Sequence, residues 1–227
     1  MHTSHVLGVT LLSALALAMP KPVIAQTVVP LAPFRSVELR NGGKAILRHG
    51  PVQRVTLLKG TLDYTQVTIV SGDRLVIDKC SNKCPRGYEL EIEIITPDIY
   101  GISVAHGGTI ASRGNFPRLA EIRIDVSNGG TIDIRSMTVD SVNASVDQGG
   151  RIFTKPQVSM SASVRQGGII TYWGDAQVTS SVEHGGVVTK GTAEEADQPI
   201  SDIGPSLPSV PQSPITPTRP IQPITIK

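Results

Sequence analysis

The chain has 227 residues, 39% of them hydrophobic and only 4% aromatic, with a formal net charge of +2. With Lys plus Arg exceeding Asp plus Glu by only two, no global charge asks for nucleic acid. Few aromatics beside abundant Val, Ile and Thr suit strands around a thin aliphatic core rather than a large globular interior.

The first element is an apolar run of 14 residues, VLGVTLLSALALAM at 6 to 19, too short to span a bilayer comfortably. PKPVIAQ follows, with Val23 and Ala25 as the small residues before a cleavage point. Residues 1 to 25 therefore read as a secretory signal peptide cut after Ala25, although the leading MHTSH lacks Lys and Arg. No Cys follows the cut site, which argues against a lipoprotein anchor, and no later stretch is long and apolar enough for a membrane-spanning helix. The expected location is periplasmic, secreted or at the cell surface.

Residues 26 to 191 carry strand patterns throughout and no helical period. Val37, Leu39, Ala45 and Leu47 alternate with polar residues around Gly42-Gly43, which predicts two strands about a tight turn. VQRVTLL, QVTIV and RLVID read as three more strands, and YELEIEIITP as another after the turn DKCSNKCPRG. That turn holds Cys80 and Cys84, the only two cysteines. In an oxidising compartment the pair reads as a disulfide, with a free or redox-active pair as the alternative. A metal site would want further ligands, and no His or Cys lies nearby in sequence.

From residue 98 a repeat takes over. Gly-Gly pairs begin at 107, 129, 149, 167 and 185, so the spacing is 22, 20, 18 and 18. The residues before each pair are His106, Asn128, Gln148, Gln166 and His184. Two positions earlier stand Val104, Val126, Val146, Val164 and Val182, and six earlier Tyr100, Ile122, Val142, Met160 and Val178. Four positions later come Ile110, Ile132, Ile152, Ile170 and Val188. Alternation within each repeat, with like residues at like positions between repeats, is what stacked coils require. The sequence thus predicts an all-β fold: a single-stranded, right-handed β-solenoid resembling a β-helix, with Gly-Gly corners and no helical domain. One coil cannot bury its own face, so five stack. The His106, Asn128, Gln148, Gln166 and His184 column reads as a polar ladder at the corners.

FRSVELRNGGKAIL, then ELEIEIITPDIYGISVAHGGTI, then the recurring S-V-x-[HNQ]-G-G-x-[IV] resemble the auto-transporter adhesin head GIN domain family, over roughly residues 34 to 190. The family's usual Ser or Gly before the final Gly of each corner is here a Gly-Gly pair after a larger polar residue. The resemblance implies an adhesin-like envelope protein and brings no catalytic residues to carry over.

Residues 192 to 227 change character. GTAEEADQPISDIG is polar, and from Pro205 to Pro223 a proline stands at every third position. Three residues per turn is the polyproline II period, so this reads as a disordered but stiff tail, about 60 Å long at about 3.1 Å per residue. Thirty-six residues are too few for a membrane barrel, so a self-exporting adhesin is not expected. The tail fits a spacer or a docking segment, and ITIK at 224 to 227 could add a strand to a partner's sheet.

Three constellations could carry chemistry. His106 and His184 stand four coils apart, about 19 Å at roughly 4.8 Å per coil, so they cannot share an ion. Asp125, Asp133 and Asp147 fall in different columns, whereas glycoside hydrolysis needs two carboxylates about 5 to 10 Å apart. Asp147, Arg165 and Glu183 share an outward column and read as a salt-bridged ladder, and no G-x-S-x-G nucleophile motif occurs. No catalytic residue, metal or cofactor is expected. The third constellation is the outward column Arg113, Arg135, Lys155 and Trp173, with Phe153 on the same face. Planar cations beside an exposed aromatic suit an acidic polysaccharide or an acidic protein surface of the envelope; the plainer reading is a solvated column of charge with Trp173 covering an edge. The sequence thus points to a non-enzymatic binding or adhesion module. The alternatives are a structural or assembly component docking through its tail and, third, a polysaccharide-active enzyme on a β-helix. Nothing in it fixes the oligomeric state.

Overall fold

Alternating apolar side chains and glycine turns cut the chain into seventeen strands in the computed structural model, which describes residues 26 to 80 and 83 to 199. The expected signal peptide and the proline-rich residues from 200 onward lie outside the described residues. In chain order, β1 (Thr27–Val29) is followed by β2 (Ser36–Arg40) and β3 (Lys44–His49) on either side of Gly42-Gly43. An excursion supplies β4 (Arg54–Lys59), β5 (Thr65–Val70), β6 (Arg74–Lys79) and β7 (Glu91–Thr96). Five further strand pairs then flank the five later Gly-Gly corners: β8 (Gly101–Ala105) and β9 (Thr109–Arg113), β10 (Leu119–Ser127) and β11 (Thr131–Asp133), β12 (Val139–Asp147) and β13 (Arg151–Thr154), β14 (Pro156–Val164) and β15 (Ile169–Tyr172), β16 (Gln177–Val182) and β17 (Val187–Lys190). The only helical turn among the described residues is a 3-10 turn, η1 (Glu195–Asp197).

The strands form two large sheets, neither closed on itself. One runs β1-β4-β7-β3-β9-β11-β13-β15-β17 and the other β16-β14-β12-β10-β8-β2-β6-β5. Each Gly-Gly unit adds one parallel strand to each sheet, in register with its neighbour. Val104, Val126, Val146, Val164 and Val182 lie side by side in one sheet. Ile110, Ile132, Ile152, Ile170 and Val188 do so in the other. Both columns belong to one core, and through Val164 and Ile170 every member is at most 1% exposed. Each such side chain contributes roughly 1.5 to 3 kcal/mol of burial, which is how repeated aliphatic columns replace the aromatic core the chain lacks.

The first Gly-Gly pair is not the hairpin turn that the alternation suggested. β2 pairs with β8 and β3 with β9, in different sheets, so Gly42-Gly43 is a sixth corner of the same kind. The excursion returns as β6 and β7, which stack in parallel on the other side of β2 and β3. Beyond them the pairing turns antiparallel: β5 closes on β6, and β4 then β1 close on β7. That end of the stack is therefore antiparallel, with β1 and β5 as its edge strands. Tyr100 also departs from expectation. It is 54% exposed with the Arg35 guanidinium 5.6 Å from its ring centre, and Ile99 fills the inward place instead.

Four of the five repeat corners share a backbone conformation, Gln166 being the exception. His106, Asn128, Gln148 and His184 have φ between +49° and +59°, and the glycine after each lies between +82° and +84°. Asn and His tolerate the left-handed region better than most residues. The second glycine of a pair faces a stricter demand. A Cβ at Gly130, Gly150 or Gly168 would come within 2.5 Å of a valine methyl group of the preceding repeat.

Candidate functional site

The outer face of the nine-stranded sheet carries the charged and aromatic column singled out by the sequence. The column does turn away from the main core, but most of it is not solvent-facing. Phe153 is 1% exposed and Trp173 4%, so the expected open aromatic stripe is corrected. Residues 192 to 199 run across this face and bury it. Arg113 and Lys155 remain at the surface; Arg135 is enclosed, its side chain only 10% exposed.

Arg135 organises the cluster. Its Nε and Nη2 donate to the two carboxylate oxygens of Asp133, at 2.9 and 3.0 Å. Nη1 donates to the carbonyls of Glu195 and Ala196 at 2.8 and 3.0 Å, and Nη2 also to that of Gln198 at 2.9 Å. All five guanidinium hydrogens are thereby placed. The flat faces are used as well: the guanidinium carbon lies 5.6 Å from the Phe153 ring centre and 5.2 Å from that of Trp173. Trp173 Nε1 donates to the Thr192 carbonyl at 2.7 Å, and Ala196 packs on the two rings. Gly191 lets the chain pass this close, since a Cβ there would lie 2.3 Å from the Trp173 ring. Asp133 is 4% exposed at its side chain, so this is a buried, hydrogen-bonded ion pair, with Arg113 Nη1 a further 3.8 Å away.

Residues 192 to 198 were not picked out by sequence reasoning, although a signal was present. Thr192-x-x-Glu195 is a capping-box spacing. The Glu195 carboxylate accepts from the Thr192 N–H at 2.9 Å, and the Thr192 hydroxyl from the Glu195 N–H at 3.4 Å. Between this segment and the sheet lies an open cavity of about 330 Å³, lined by Arg113, Asp133, Arg135 and Ser136 on one side and residues 196 to 199 on the other.

The remaining expected positions are spread along the stack. Asp125 pairs with Arg123 at 2.8 Å and Asp147 with Arg165 at 2.9 Å, so with Asp133 each of the three aspartates faces its own arginine. The Asp125 hydrogen bond holds the Arg123 guanidinium above its ordinary pKa. In the corner column, Asn128 Nδ2 lies 3.4 Å from His106 Nε2. Gln148, Gln166 and His184 stand exposed at their own corners. Cys80 and Cys84 form a disulfide between β6 and β7.

Residues 33–155, more than half of the chain, match the family described as "Putative auto-transporter adhesin, head GIN domain", and the chain belongs to that family. Among solved structures it is similar to a "putative adhesin" from Bacteroides fragilis, at 16% identity and a TM-score of 0.46, covering 73% of this chain and 95% of that one. A "putative adhesin" from Parabacteroides merdae aligns at 12% identity and a TM-score of 0.37, with 74% and 96% covered. A "putative cell adhesion protein" from Clostridium sporogenes aligns at 9% and 0.37, with 73% and 98% covered. No curated protein matches the chain. No helix among the described residues is long and apolar enough to cross a membrane.

Proposed function

We propose that this chain is a non-enzymatic binding module of the cell surface or envelope, exported by cleavage near Ala25. In this reading its coils form a single-stranded, right-handed β-solenoid whose outer face meets an acidic partner. Membership of an adhesin family supports a binding role over a catalytic one. The observation that carries the choice of face is Arg113 at the mouth of the cavity beside residues 196 to 199, its side chain 48% exposed. Asp133 is held bidentately by Arg135 and only at 3.8 Å by Arg113, so Arg113 keeps charge to offer at a cavity that Asp197 also lines. Lys155 is exposed two strands further along, about 10 Å away at roughly 4.8 Å per strand. Two cations so spaced suit repeated carboxylate or sulfate groups on a polysaccharide, or an acidic protein surface. Arg135, Phe153 and Trp173 then support the site by holding the covering segment, instead of touching the ligand.

The test is a binding screen against neutral and acidic polysaccharides, with Arg113→Ser/Lys155→Ser beside the parent chain. Binding to acidic polymers that weakens with salt and drops about tenfold or more in the variant is expected. Equal binding by both proteins, or none by either, overturns the assignment of this face. A second reading has its own support: the Arg135 contacts hold residues 195 to 198, so the following tail leaves from a fixed point. That would serve an assembly component docking through the tail, and removal of residues 205 to 227 would then abolish partner capture.

A further inference from the structure

The two ends of the stack are finished differently. At one, the outer strands β1, β4 and β5 run antiparallel to their neighbours, with β1 and β5 at the sheet edges. At the other, β16 and β17 each pair on one side only, with β14 and β15, among the described residues. The inward columns show the consequence. Val164 and Ile170 are 0% exposed, whereas Val182 one coil later is 45% exposed, and Val178 and Val188 are only half-buried.

The edge of β17 is a defined template. Val187 and Gly191 donate their backbone N–H groups inward, to Gly168 O at 3.0 Å and Tyr172 O at 2.9 Å. By the alternation of a parallel ladder, the N–H groups of Val188 and Lys190 point to the open edge. The proline-rich tail ends its period with a segment written in the idiom of this sheet. The last two strands read Ile170-Thr171-Tyr172 and Val188-Thr189-Lys190, and residues 224 to 226 read Ile224-Thr225-Ile226. Placed beside β17 in the same register, Ile224 would extend the Ile110-to-Val188 column and Thr225 would stand over Thr189.

We infer that the open β17 edge accepts residues 224 to 227 of a second copy of this chain as an added parallel strand. The spacing of the tail selects the second copy over the same one. Residue 198 is held on the outer face at Arg135, next to β11, only three strands or about 14 Å from the β17 edge. The chain between holds no glycine after Gly204 and a proline at every third position from 205 to 223. Nineteen residues of that composition favour an extension of about 60 Å and resist the tight reversal that a return to its own edge requires. Copies joined this way would form an open, head-to-tail series.

The experiment is analytical ultracentrifugation of the secreted chain over a wide concentration range, beside a chain lacking residues 224 to 227 and an Ile224→Asp/Ile226→Asp variant. A labelled peptide of sequence PIQPITIK is titrated into the shortened chain and into its Lys190→Pro version, which removes one edge donor and no ladder bond. The expected result is mass that rises with concentration only in the parent chain, and peptide binding about tenfold weaker with Lys190→Pro. Unchanged association after shortening, or no peptide binding, overturns the inference. So does peptide binding by a shortened chain whose parent stays monomeric throughout, because that outcome assigns the edge to the same copy. If Lys190→Pro fails to fold, as judged by Trp173 fluorescence, the Ile224/Ile226 variant decides alone.

Discussion

Gly150 and Gly149 are neighbours with unequal duties. Both have positive φ, +109° and +82°, but only at Gly150 would a Cβ meet anything, lying 2.4 Å from Val126 Cγ1. Gly149→Ala should cost the left-handed penalty alone, about 1 to 2 kcal/mol. Gly150→Ala adds a forced shift of the preceding repeat and should cost about 3 kcal/mol or more. Urea unfolding of the two variants side by side checks this, and equal losses would mean that the corner yields. Arg135 is the other residue with a disproportionate share. Arg135→Ala would strand the buried Asp133 carboxylate and release three carbonyls of the covering segment. A loss of about 3 to 5 kcal/mol is expected, as for other broken buried pairs. Trp173 is the only tryptophan, so its emission should shift to the red as residues 192 to 198 lift away, and early proteolytic cutting in that segment should follow. An unshifted emission maximum would show that the segment stays seated without its guanidinium.

Among the elements, the turn between β6 and β7 is held by the Cys80–Cys84 disulfide. The bridge closes a loop of only five residues, so its entropic contribution is modest, about 2 kcal/mol. Cys80→Ser/Cys84→Ser should therefore lower stability by that amount or less without loss of fold, readable as a small drop in Tm. The valine and isoleucine columns of the later coils were legible in the sequence because period-2 alternation and an 18-to-22-residue repeat agreed at each position. The corner at Gly42-Gly43 was not, because the excursion through β4 to β7 separates it from its next copy and leaves only a hairpin-like pair of strands in view. Phe153 and Trp173 were misjudged for another reason. Alternation gives the direction a side chain takes from the sheet, but not whether a later segment lies over it, and the covering residues GTAEEADQ are polar. The capping-box spacing within them was the readable sign.

For the whole molecule, the contrast between an antiparallel end and an end where, among the described residues, the parallel strands β16 and β17 pair on one side only sets its behaviour toward other chains. Exposed edges are usually blunted by charge, proline or a covering element. Here Lys190 supplies a charge at the β17 edge, its Nζ donating to Asp175 at 2.8 Å, and Ser180 and Val182 are left to solvent. The strand pair β2 and β3 lies between β6 and β7 on one side and β8 and β9 on the other. A chain emerging from its amino end therefore cannot add strand pairs one after another from one tip. Its earliest pair is an internal seed that must recruit neighbours in both directions, with the excursion folding back before or while the later repeats are laid down. Slow nucleation followed by rapid growth along the repeats is the kinetic signature such a seed would leave.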